Sequence, residues 1–166
     1  MTGEQGTTSF MAPELLLPVR FGLDRGVPSP EADIYALGMT VYQVLTGRCP
    51  FYPRKEGEIM FAVISGERPR KPENAEEIGM MEVVWGLLKE CWKDDRMARP
   101  TIAEVHRRFR EITSENEITD SVLEEFVPPR LDAGNPNSVV SQSSSLTTAQ
   151  CELSYLCLLS KLFSGD

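Results

Sequence analysis

From Ile34 to Leu45 the chain is apolar at every position except Thr40 and Gln43. A helix with no polar face has to be surrounded, by protein or by lipid. This run falls well short of the roughly 20 residues needed to span a bilayer, so the pattern predicts a core helix. The flanking residues set its limits. Ser29 suits the N-cap and Pro30 the first helical position, Glu31 and Asp33 lie near the positive end of the helix dipole, and Gly47 supplies a stop. The helix is expected from Pro30 to about Thr46.

Three more helices follow from the same periodicity. One near Lys55 to Ser65, closed by Gly66, carries Ile59, Met60, Phe61, Val63 and Ile64. In the next, Met80, Val83, Val84, Leu87, Leu88, Cys91 and Trp92 recur at helical spacing as one apolar stripe. The last begins behind Pro100, where Thr101 and Glu104 have the spacing of a capping box, and Ile102, Val105, Phe109 and Ile112 mark the face expected to be buried. Prolines 50, 53, 69 and 72 place loops at Arg48 to Arg54 and Glu67 to Ala75. The predicted class is mainly α, in a folded region spanning residues 1–114.

Beyond Ser114 the composition changes. Residues 115–150 are acidic, then rich in Ser, Thr and Asn, and are expected to form a disordered linker. Residues 151–166 turn apolar again, with Leu153, Leu156, Cys157, Leu159 and Phe163. That segment is too short to span a membrane. It reads either as a small amphipathic helix for a partner or as an unstructured remnant.

The charge of −8 is unevenly spread: residues 1–114 hold 15 Lys and Arg against 17 Asp and Glu, whereas residues 115–166 hold 2 against 8. With no basic face, nucleic acid is a disfavoured partner. Cys49, Cys91, Cys151 and Cys157 form no C-x-x-C pair and have only His106 to share a metal with, so they are read as reduced thiols and no zinc site is expected. The first residues lack the basic and apolar blocks of a secretion signal, which points to a cytoplasmic chain.

Two strings carry the candidate chemistry: G-T-T-S-F-M-A-P-E at Gly6 to Glu14 and C-W-K-D-D-R-M-A-R-P-T at Cys91 to Thr101, with Asp33-Ile34-Tyr35-Ala36-Leu37-Gly38 between them. In this order they resemble the second half of the large, helical lobe (C-lobe) of a eukaryotic protein kinase, from the end of the activation segment to the last helix. The resemblance covers residues 1 to about 114. It implies that Gly6, Thr7 and Phe10 belong to the substrate-recognition loop, with Thr7 helping to seat a Ser or Thr hydroxyl. It also implies that Glu14 and Arg99 form a buried ion pair and that Asp33 anchors the backbone of the catalytic loop. Each has a plainer alternative: Thr7 as a cap for a short helix near Ala12, Glu14 and Arg99 as surface charges, Asp33 as a helix-dipole partner. Thr2 lies where activating phosphorylation falls in relatives. Trp92 is implied to serve packing. Arg96 stands where related branches carry proline, and the stretch from Leu15 to Glu31 is several residues longer than usual. His106, beside an apolar helix face with no catalytic string around it, reads as a structural histidine.

The nucleotide loop, β3 lysine, H-R-D loop and D-F-G metal site of such kinases have no counterpart in these 166 residues. No catalytic, cofactor-binding or metal-binding residue is therefore expected here; ATP and magnesium belong to the intact parent enzyme, together with the missing N-lobe and catalytic loop. The sequence opens inside a motif, which reads as a truncation or an incomplete coding sequence. The expected function is that of a Ser/Thr kinase fragment with protein substrates or regulators as partners. A catalytically inactive, kinase-derived interaction module is the alternative.

Overall fold

The computed structural model describes residues 8–76, 78 and 80–115. The expectations for Thr2, Gly6, Thr7, residues 116–150 and residues 151–166 lie outside the described residues. Among those described, the chain is helical and contains no strand. No helix there is long and apolar enough to cross a membrane. Five α-helices occur in order: α1 (Pro13–Leu16), α2 (Pro30–Thr46), α3 (Glu56–Ile64), α4 (Glu82–Cys91) and α5 (Ile102–Glu115). Short 3-10 turns lie at Thr8–Phe10, Pro18–Phe21 and Arg96–Ala98.

The chain divides into two compact units. The first comprises, among the described residues, the chain up to Gln43, Cys49–Lys71 and Gly86–Thr101. Here α2 starts as its sequence dictates: the Ser29 hydroxyl accepts from the Ala32 amide at 3.3 Å, and the Ser29 carbonyl from the Asp33 amide at 3.0 Å. The same hydroxyl holds the Glu31 carboxyl below the usual carboxylate range. Ile34, Tyr35, Met39 and Val41 are buried, whereas Asp33 and Thr40 are exposed and Ala36 and Leu37 half-buried. These last four share one side of the helix, which is the thinly covered side. Helix α3 ends in a Schellman turn: Gly66 at φ 87° donates to the Val63 carbonyl at 3.1 Å and Glu67 to the Ala62 carbonyl at 2.9 Å. Its apolar residues divide. Ile59 and Val63 are buried, while Met60 and Phe61 face solvent.

The second unit comprises, among the described residues, Val44–Arg48, those between Pro72 and Trp85, and the chain from Ile102 onward. Among its described residues, Leu45, Ala75, Met80, Val84, Val105, Phe109 and Ile112 are the buried apolar side chains. Burying each of the larger ones contributes about 1.5–3 kcal/mol. Two expected core residues are exposed instead, Val83 and Ile102. Both sit in the first turn of their helices, where the apolar stripe overruns the surface that covers it. The Glu104 carboxylate, read as a capping-box partner, accepts from Arg107 at 2.9 and 2.8 Å and from Arg108 at 2.7 Å.

Candidate functional site

Pro13 opens α1 after Ala12, whose extended backbone turns the chain into the helix. That placement puts Glu14 in the first turn, 1 % exposed. Its partner is fixed by a different local rule. Arg99 precedes Pro100, and a residue before proline is pushed into extended conformation; Arg99 has φ −74° and ψ 147°. The 3-10 turn before it is capped by Asp95, whose carboxylate accepts from the Met97 amide at 3.0 Å. Arg96 takes the first position of that turn, so the Asp95 cap holds it without the proline of related sequences.

The two elements meet in a bidentate pair. Arg99 Nη1 donates to Glu14 Oε1 at 2.7 Å and Nη2 to Oε2 at 2.8 Å. Arg99 also donates from Nε to the Lys93 carbonyl and from Nη1 to the Glu31 carbonyl, both at 2.9 Å. One buried guanidinium thus joins α1, the start of α2 and the segment after α4. A buried charge tolerates this only because four of its five N–H donors are engaged, two of them by a carboxylate.

Beneath the pair lies Tyr35, fully buried, with the Arg99 guanidinium 5.2 Å from its ring centroid and that of Arg68 at 5.3 Å. Burial pushes its phenol well above the ordinary range. Arg68 is held by the carbonyls of Trp92 at 2.8 Å, Val63 at 3.1 Å and Glu67 at 2.7 Å, and by the Asp94 carboxylate. Gly38 explains the spacing of the central string. A Cβ there would come within 2.7 Å of Trp92 Nε1 and 2.9 Å of Cys91 Cβ. Only glycine lets α2 approach that closely, and Tyr42 then meets the Trp92 ring edge-on at 5.9 Å.

Around the outer rim, Phe10 is half-buried and Asp33 exposed, its carboxylate near the N-terminus of α2. The Thr8 hydroxyl donates to Glu56 Oε1 at 2.6 Å, tying the segment before α1 to the first residue of α3. Thr8 stands in the Gly6-to-Glu14 string with no role of its own assigned, and Glu56 and Arg68 carry no periodic or motif signal; only the fold brings the three together with their partners. His106 is half-buried on α5, and its Nε2 has no hydrogen-bond partner among the described residues. No group of three or more His, Cys, Asp or Glu among the described residues could hold a metal ion.

Comparison with known proteins agrees with this arrangement. A family model described as "Protein kinase domain" matches residues 1–109. The serine/threonine-protein kinase mos of Patiria pectinifera is 34% identical over 116 residues, covering 68% of this chain and 29% of that protein. The dual specificity protein kinase shkD of Dictyostelium discoideum is 30% identical over 109 residues, covering 65% and 13%. The human receptor-interacting serine/threonine-protein kinase 1 is 27% identical over 142 residues, covering 85% and 20%. The chain therefore spans less than a third of the length of each of these relatives. The match over residues 1–109, together with the Glu14–Arg99 pair and the close approach that Gly38 allows, shows that the chain belongs to the protein kinase domain family.

Proposed function

We propose that these residues form the substrate-recognition loop and helical large lobe of a Ser/Thr protein kinase whose intact domain transfers the γ-phosphoryl group of ATP to protein hydroxyls. The observation that carries this reading is the Glu14–Arg99 pair, which fixes the end of the Gly6-to-Glu14 string onto the helical body through a guanidinium that makes four hydrogen bonds. Gly6 and Thr7 favour Ser/Thr acceptors, and two of the three relatives named above are serine/threonine kinases by name. A cytoplasmic setting and protein partners, as substrates or regulators, go with the same reading.

Phosphoryl transfer depends on magnesium-held phosphates and a residue that orients the acceptor hydroxyl. The residues present do not fit that group: the sequence holds neither an H-R-D nor a D-F-G string, and no metal-holding cluster stands among the described residues. No step of the transfer is assigned to them. The 166 residues alone should show no incorporation of phosphate from Mg-ATP into a generic basic protein above a protein-free blank. Stoichiometric transfer by the purified chain would sink the fragment reading. A second reading, a non-catalytic module that holds a partner on its surface, draws support from α3, where Phe61 is 69% and Met60 45% exposed.

A further inference from the structure

Thr8 and Glu56 lie 48 residues apart, and their hydrogen bond joins a buried threonine to a glutamate on the surface. A glutamate at the surface ordinarily samples several rotamers, and ordering it costs side-chain entropy. Here the entropy is lost without an ion pair in return. Neither neighbouring cation pairs with it among the described residues: Lys55 makes no ion pair with Glu56, and Arg54 is already held in a fork by Glu67 at 2.8 and 2.6 Å. Glu56 Oε2 has no hydrogen-bond partner among the described residues. The result is a pre-oriented, unneutralised carboxylate at the positive end of α3, directly against the recognition string. One turn along the same helix face stands Met60, 45% exposed, an adaptable apolar rest for the stem of a long side chain.

We infer that Glu56, positioned by Thr8, selects polypeptide segments that carry an arginine or lysine beside the residue presented to the recognition loop. The inference rests on the reading of Gly6 to Glu14 as the loop that receives a protein substrate. An apolar stem ending in a cation matches Met60 and Glu56 in order, and the planar fork of arginine suits a carboxylate better than the ammonium of lysine. Glu56 is the contact residue; Thr8 acts through it.

The test is fluorescence anisotropy on the full 166-residue chain with short labelled alanine-rich peptides that hold a central serine and a single arginine, moved through the positions on either side. At one position arginine should tighten binding roughly fivefold over the all-alanine parent, a gain typical of one well-placed charged hydrogen bond. Glu56→Gln should erase that gain, and Glu56→Arg should transfer it to the peptide carrying glutamate at that position. Thr8→Val should shrink the gain, whereas Thr8→Ser, which keeps the hydroxyl, should preserve it. Equal binding of arginine and alanine peptides, or an arginine preference that survives Glu56→Gln, overturns the inference and leaves the recognition-loop reading intact. Failure to bind any of the peptides overturns both.

Discussion

Arg99 and Arg107 each grip a glutamate with two guanidinium nitrogens, at 2.7 and 2.8 Å for Glu14 and at 2.9 and 2.8 Å for Glu104. Their surroundings differ completely. The side chains of Arg99 and Glu14 are 0% and 2% exposed, those of Arg107 and Glu104 55% and 32%. On α5 water can replace either partner and salt screens the pair, so the geometry carries little free energy. In the first unit neither charge can be rehydrated if the other is removed. Distance therefore says almost nothing about worth, and burial says nearly everything.

The sharpest way to break this contrast is to remove one member of the buried pair. Glu14→Ala or Arg99→Ala should each cost about 3–5 kcal/mol in urea unfolding, because each strands a buried charge. The double variant should cost well below the sum of the two, giving a large coupling energy. Arg99→Lys should recover little, since a single ammonium cannot serve Glu14 together with the carbonyls of Lys93 and Glu31. Additive single and double values would show that the pair is not acting as a unit.

Gly38→Ala comes next. In an exposed helix the change would favour stability by up to about 1 kcal/mol. Here the new methyl meets Trp92 and Cys91 at 2.7 and 2.9 Å, and overpacking of that kind costs about 1–3 kcal/mol. Net destabilisation in thermal unfolding is the expected sign. A stabilised variant would mean that α2 and the Trp92 ring part easily.

How much of this could be read in advance depended on whether the signal was local. The limits of α2 were legible because Ser29, Pro30 and Gly47 punctuate it, and α3 was placed within a residue at each end by Gly66 and its apolar spacing. The sequence strings named Glu14 and Arg99, and the fold places them in contact. Periodicity failed at Val83 and Ile102, since a helical stripe does not say how far its cover extends. Arg68 was invisible for another reason: three of its four acceptors are backbone carbonyls, which leave no mark on residue identity. Thr8 and Glu56 were missed because 48 residues of chain separate them.

The weakest effects belong to α5, and pH sharpens the contrast there. Arg107→Ala should leave stability almost unchanged, and change it less still in high salt, despite the forked geometry. Hydrogen bonds from Arg107 and then Arg108 hold the Glu104 carboxyl at about 2, below the ordinary 4.5. A depressed carboxyl stabilises the folded state only while ionised, so its contribution is complete above about pH 4.5 and is lost as the pH falls toward 2. The melting temperatures of the wild-type chain and Glu104→Gln should accordingly differ by a small, constant amount from neutral pH down to that point and converge below it. Comparing the two at each pH cancels the titration of the remaining carboxylates. A difference that widened on acidification would mean that the protonated Glu104, not the ion pair, supports the helix.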